Sequence, residues 1–237
     1  MPVTPRECID RDWTRFIGSG QIGLGLDLAT TENETSNPSA LCVMERSGPV
    51  FMQRLVLRFK TRREEITRAL LDIVFNDLVL ARHRPLRMCV DASNERFFSQ
   101  SLQKQFSRFC PVQLIVANEK TEWKGEDFDY KTLLGNIYVN SFVDAAMRMP
   151  EAHWLKEDHR LVKRDKGRFI ASQSPDGGHA DTFDAGKLAR FALEGRGRAE
   201  ASGAGVGQGS LGARVPAGLK NPLLRRAVAE RRGKTIC

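Results

Sequence analysis

The run Ile22-Gly23-Leu24-Gly25-Leu26-Asp27-Leu28 constrains this chain more than any other stretch. Its period of two predicts a β-strand over 21–28. Ile22, Leu24, Leu26 and Leu28 share one face. Gly23, Gly25 and Asp27 share the other. Glycine weakens a strand interior and often marks close approach of another backbone or of a ligand. The strand therefore asks for an apolar layer on one side and a very near neighbour on the other. Asp27 stands where the strand should end, and the question is what it holds.

Further strands are expected at 39–46 and 50–60, the first reached through a polar loop containing Pro38. A helix is expected over 62–82, with Ile66, Leu70, Ile73, Val74 and Leu78 on one face. A short buried strand over 86–93 reaches Asp91. A helix follows it, with Asn94 as its N-cap. Another buried strand covers 112–117. A helix over 129–149 is stopped by Pro150. Short strands or a hairpin come next, with turn signals at Arg164-Asp165-Lys166-Gly167-Arg168 and Ser174-Pro175-Asp176-Gly177-Gly178. The last periodic segment, 179–194, is a helix. Three strands, then helix–strand–helix–strand–helix, resemble the ribonuclease H-like order. The expected fold is an α/β domain whose mixed five-stranded (or extended) sheet is flanked by helices on both faces.

The chain divides accordingly into a leader or linker over 1–20, holding a short helix, a body over 21–194 and a tail over 195–237. The formal charge of +8 favours a polyanionic partner, nucleic acid first. The tail, however, holds nine Lys/Arg against two Glu, so the body is near neutral. The tail is Gly/Ala-rich at its start and is expected to be flexible and to contact DNA through its charge. A docking helix at 221–232 is the alternative. No apolar run approaches the roughly 18 residues of a membrane helix, and the charged N-terminus does not read as a signal peptide. Cys8, Cys42, Cys89, Cys110 and Cys237 lack metal-ligand spacing and read as reduced thiols.

Three acids stand where such a sheet would bring them together. Asp27 ends the first strand and Asp91 ends the fourth, its expected neighbour. Asp181 opens the last helix, with Asp184 one turn on. Carboxylates converging at one sheet end repel one another, and a bound divalent cation makes the cluster favourable. Hard oxygen ligands suit Mg²⁺ or Mn²⁺. Two such ions support phosphodiester hydrolysis.

Gly23–Glu45, Arg87–Gln103, Tyr130–Pro150 and Gly178–Leu193, taken in order, resemble the C-terminal nuclease domain of phage terminase large subunits. The His179-x-Asp181-x-Phe183 run is similar to the Mu-like branch. The resemblance implies an endonuclease that cuts double-stranded DNA during genome packaging with two Mg²⁺ or Mn²⁺ ions. Asp27, Asp91 and Asp181 would be catalytic ligands and Asp184 an auxiliary one. It also places a lysine at Lys131. Implied partners are a terminase ATPase domain or subunit, a small terminase subunit and a portal, in the host cytoplasm. Two departures stand out. Ser93-Asn94-Glu95 replaces a glycine-rich turn after the second acid. A full large subunit carries an ATPase domain before the nuclease, and none is expected here. The single Gly-Lys-Thr, Gly233-Lys234-Thr235, has Val228 where a P-loop needs glycine, so P-loop ATP hydrolysis is not expected.

His179 is a candidate for assisting at the phosphate, against a plain helix-start residue. Lys131 is a candidate phosphate contact. Lys163, Arg164, Lys166 and Arg168 on the expected hairpin are candidate DNA contacts, against a solvated charged turn. Three other readings compete. The first strand also resembles the phosphate loop of actin/Hsp70-like ATPases, but the second loop and second domain are missing. A Holliday-junction resolvase-like nuclease would use the same acids. A non-catalytic DNA-binding or motor-docking module would leave them idle.

Overall fold

The computed structural model describes residues 4–29, 38–165, 167–173 and 179–194. The tail 195–237, Lys166 and residues 174–178 lie outside them, and with them the expectations placed on the tail. β1 (Gln21–Asp27), β2 (Ser39–Ser47) and β3 (Val50–Phe59) form an antiparallel meander. After α1 (Glu64–Leu80), β4 (Pro85–Asp91) returns parallel to β1, pairing Leu26 with Val90. After α2 (Arg96–Phe106), β5 (Val112–Ile115) pairs parallel with β4. A hairpin of β6 (Lys120–Trp123) and β7 (Glu126–Asp129) leads into α3 (Tyr130–Val143). Then come β8 (Met147–Arg148), α4 (His153–Arg160), a second hairpin of β9 (Val162–Asp165) and β10 (Arg168–Ala171), and α5 (Asp181–Ala192). The main sheet runs β5-β4-β1-β2-β3-β8. It is the expected mixed sheet, extended to six strands by β8.

The two faces of β1 are treated as the sequence asks. Ile22, Leu24 and Leu26 face α1 and α2, packing with Leu70, Leu71, Val74, Phe75 and Leu78 and with Phe98, Leu102 and Phe106. Full burial of each such side chain contributes about 1.5–3 kcal/mol. On the other face α5 lies directly on β1. A β-carbon on Gly23 would fall 2.8 Å from Ala189 O, and one on Gly25 would strike Ala185 O and Ala189 N. The near neighbour of the glycine face is thus a helix backbone. α5 runs antiparallel to β1, with 185–189 over Gly25 and 189–193 over Gly23. Its first turn therefore lies at the end of β1 that carries Asp27.

Several boundaries differ from expectation. The opening segment packs on the body: Ile9, Trp13 and Ile17 are buried in the main core, and Trp13 Nε1 donates to Asp77 Oδ2 at 3.0 Å. Its short helix is a 3₁₀ turn, Trp13–Phe16. α2 begins at Arg96, with Glu95 and not Asn94 at its cap, and no side chain caps it. α3 ends at Val143, where Ala145 turns left-handed (φ 52°), well before Pro150. Asp129 caps its start, accepting from Thr132 N at 2.7 Å. The hairpin β6–β7, turned by Lys124 (φ 55°) and Gly125 (φ 85°), and helix α4 were not anticipated. Among the described residues no helix is long and apolar enough to cross a membrane. Cys42, Cys89 and Cys110 are buried free thiols.

Candidate active site

Parallel pairing of β1 and β4 puts Asp27 and Asp91 at adjacent strand ends. Asp91 is two residues on from Cys89, which packs with Leu188, Phe191 and Ala192 of α5, so Asp91 also faces α5. The chain enters α5 through Ala180, a buried residue in the left-handed region (φ 66°). Asp181 follows it and is 3% exposed. Its Oδ2 accepts from the backbone N–H of His179 at 3.3 Å. α5 has no capping side chain of its own. That role falls to Asp158 of α4, whose Oδ2 accepts from Thr182 N at 2.9 Å and also from Thr182 Oγ1. Asp158 Oδ1 lies 3.6 Å from Arg58 Nη1. One buried carboxylate therefore fixes the turn that presents Asp181 and Asp184.

A second contact shapes the same helix. Gly186 leaves room for Tyr138, whose hydroxyl would lie 2.5 Å from a β-carbon there. Tyr138 accepts from Gln53 Nε2 at 2.6 Å and lies 2.8 Å from His159 Nε2. His159 Nδ1 lies 2.9 Å from Leu155 O, which can only accept. Nδ1 therefore carries the proton, and Tyr138 donates to Nε2. Burial, opposed by the Leu155 contact and nearby acids, holds the His159 pKa below its ordinary value, as a neutral ring in this chain requires.

The carboxylates feel one another. Desolvation, then the charges of Asp184 and Asp91, push the Asp27 pKa well above the ordinary carboxylate range, with Asp181 adding to the effect. Desolvation raises Asp181 to about 6, against the His179 N–H and with the charges of Asp158 and Asp184. Lys187, one turn beyond Asp184, supplies the opposing charge. Its Nζ is 2.6 Å from Asp184 Oδ1 and its side chain is 11% exposed. Desolvation weakens the protonated lysine, but Asp184, Asp27 and Asp91 outweigh this and raise its pKa. A lysine with these neighbours is charged at any physiological pH.

Asp91, Asp181 and Asp184 thus lie within electrostatic reach of Asp27 at one end of the sheet. Among the described residues, however, no three His, Cys, Asp or Glu side chains are gathered tightly enough to hold an ion as they stand. The donors are of the right kind for Mg²⁺ or Mn²⁺, and burial first, then the neighbouring carboxylates, hold the Asp27 pKa high.

The other candidates fall as follows. His179 reaches Asp181 through its backbone N–H. Lys131 is exposed, and its N–H is tied to Ala117 O at 3.0 Å. Lys163, Arg164 and Arg168 are exposed on the β9–β10 hairpin, and Lys166 lies outside the described residues. Phe169 pins the hairpin: it is 7% exposed, and its ring lies over Gly135 of α3 where a β-carbon would collide. The guanidinium of Arg164 sits 5.7 Å from the centre of that ring. Sequence reasoning missed Asp158 and Lys187. The i,i+3 spacing of Asp184 and Lys187 was a usable signal; nothing local marked Asp158.

No family model matches the chain, and no curated protein sequence matches it. Solved structures do. The nuclease domain of the human cytomegalovirus terminase shares 12% identity with it over 74% of this chain and 84% of its own length, at a TM-score of 0.50. The nuclease domain of the large terminase subunit of bacterial virus Sf6, solved with manganese and β-thujaplicinol, shares 8% identity over 80% and 98%, at 0.50. The large terminase of a thermophilic bacteriophage, solved with ADP, shares 14% over 81% of this chain and 45% of its own, at 0.51. At such identity the likeness establishes a common fold, and this chain spans less than half of the last protein.

Proposed function

We propose that this chain, built on the ribonuclease H-like fold that terminase nuclease domains share, is a metal-dependent endonuclease of a DNA-packaging terminase. The observation that carries the reading is the convergence of Asp27, Asp91, Asp181 and Asp184 from β1, β4 and α5 on one end of the sheet. The His179-x-Asp181-x-Phe183 run favours the Mu-like branch. Asp27, Asp91 and Asp181 would hold divalent cations, with Asp184 as an auxiliary ligand. When bound, two Mg²⁺ or Mn²⁺ ions would supply an activated water and stabilise the departing oxygen. The protein's own part is to keep the donors preorganised. Asp158 fixes the first turn of α5, and the glycine face of β1 lets that turn come down beside Asp27. Lys163, Arg164 and Arg168 would hold the DNA backbone through its phosphates, which position a duplex without revealing its sequence. An ATPase domain or subunit, a small subunit and a portal are the partners this reading calls for.

A non-catalytic DNA-binding module is the second reading. The specific observation in its favour is that Asp184 is already satisfied by Lys187. Supercoiled plasmid incubated with Mn²⁺ or Mg²⁺ and, separately, with EDTA decides between them. Cleavage is expected with either metal and not with EDTA. Asp27→Asn, Asp91→Asn and Asp181→Asn should each lower it by more than ~100-fold, since even residues that only orient metal ligands cost about 10–100-fold. Cleavage in EDTA would overturn the metal chemistry. An inert wild-type protein that still binds DNA would favour the module.

A further inference from the structure

Phe183, between Asp181 and Asp184 in the first turn of α5, lines a cavity of about 430 Å³. Helix α3 supplies Val139 and Phe142 to it, and the β9–β10 hairpin supplies Phe169. The volume falls within the roughly 300–1,000 Å³ of small-ligand sites. The floor is aromatic. Phe169 and Phe183 are buried, while Phe142 is exposed and is held edge-on by Tyr138, with ring centres 5.1 Å apart at 89°. The rim is cationic. Lys156 and Arg160 of α4 and Lys163 and Arg164 of β9 line the cavity, and no described Asp or Glu does. Arg160 is bonded to Glu157, and Lys156 lies 3.9 Å from Glu151. Among the described residues Lys163 and Arg164 pair with no acid. The guanidinium of Arg164 lies beside the Phe169 ring.

An occupant of this cavity must be apolar at one end and anionic at the other. The chain's own tail, 195–237, has nine Lys/Arg against two Glu and so carries the wrong charge. An unpaired nucleotide has both ends. Its base stacks on aromatic rings and guanidinium planes, and its phosphate suits a basic rim. An acidic peptide with an apolar side chain shares this chemistry. The guanidinium beside an aromatic ring, and the helix turn shared with the candidate active site, favour the nucleotide. From this we infer that the cavity receives one unpaired nucleotide of a DNA strand, its base against Phe142 and Phe169 and its phosphate against Lys163 and Arg164. The inference rests on the DNA-binding part of the reading above and not on its metal chemistry. It gives the protein a preference for frayed or single-stranded DNA and none among sequences, because every base has a π-face.

Fluorescence anisotropy of the full chain in EDTA, where metal-dependent cleavage is silent, tests this with two labelled duplexes. Both carry the same short overhang, made of thymidines in one and of abasic sugars in the other. The two have equal charge, so the rim and the tail cannot tell them apart. Wild type should bind the thymidine overhang about tenfold more tightly, as expected for one stacked base. Phe142→Ala should bring that ratio close to one, and so should Val139→Phe, which fills the cavity. In wild type alone, 2-aminopurine placed in the overhang should lose fluorescence on binding as its base stacks. Equal wild-type affinity for the two overhangs would overturn the inference and leave DNA binding standing. No binding of either would overturn both. A preference that survives Phe142→Ala and Val139→Phe, or affinities that fall alike for both overhangs, would also overturn it. Equal affinities together with Phe142-dependent binding of a Glu-rich peptide carrying one Phe would make the cavity a protein-docking site instead.

Discussion

Gly25 and Ala185 are in backbone contact: no β-carbon fits on Gly25 without striking the Ala185 carbonyl oxygen. This one approach sets the height of α5 above the sheet, and so sets where Asp181 and Asp184 stand relative to Asp27. Gly25→Ala should therefore damage stability and chemistry together. The obstacle is backbone, so the helix itself must lift. Destabilisation of about 3 kcal/mol is expected, at the upper end of overpacking costs. Urea unfolding monitored by circular dichroism gives the first quantity and plasmid cleavage the second. A variant of wild-type stability would mean that α5 does not lie flat on β1.

The pH dependence of metal-free stability has a defined sign. Asp181 is raised from 3.8 to about 6 on folding, chiefly by desolvation. A carboxyl whose folded value exceeds its unfolded value opposes folding once the unfolded chain has lost its proton. The penalty is absent below about 3.8, grows between 3.8 and about 6, and is complete above that. Asp27 adds a penalty of the same sign. In EDTA, Asp181→Asn should thus melt above wild type at pH 7.5, and the difference should shrink as pH falls to 5. Melting curves of the two proteins across that range measure it. A difference that grows on acidification would show that the ionised acid is stabilising.

Asp158 should behave as a positioning residue. Asp158→Ala removes the acceptor of Thr182 N and Thr182 Oγ1 and leaves a buried backbone donor unpaired. A loss of about 2 kcal/mol is expected from the missing cap and the unsatisfied group, with cleavage reduced about 10–100-fold. Asp158→Asn keeps one acceptor oxygen and should recover part of both. If Mn²⁺ affinity, measured calorimetrically, is untouched in Asp158→Ala, the residue does not place Asp181.

Lys163 and Arg164 are exposed on a hairpin pinned by Phe169. Replacing both with Ala should weaken DNA binding about equally for all sequences. It should also lower the slope of log affinity against log salt by about 2, near one for each phosphate no longer neutralised. Fluorescence anisotropy at several salt concentrations reads both. An unchanged slope would make the hairpin a solvated turn.

The positions of the acids at element ends were readable from sequence because each interrupts a pattern. Asp27 and Asp91 end apolar strands, and Asp181 opens an amphipathic segment. The glycines were readable only in part. Strand chemistry says that something approaches Gly23 and Gly25, and only the fold says that it is α5. Lys187 looks like any charge on a helix until α5 is laid on β1 and that face becomes interior. Asp158 is one of several charged or ionisable side chains in His153–Arg160, and its importance depends on α4 meeting α5. Helix α4 was missed because eight residues give a weak periodic signal. Helix α3 was drawn too long because Ala145, not the later Pro150, makes the break.

The order of the elements carries a consequence in time. Asp27 and Asp91 belong to the sheet, but Asp181 and Asp184 arrive with α5, the last described element in the chain. A chain still emerging from the ribosome, or one whose final helix has come loose, has two of the acids and an uncovered glycine face. On the reading proposed above, such a chain has no complete cutting site. On that same reading the helix that completes the core also arms the chemistry, and an unfinished or damaged molecule is harmless to the DNA around it.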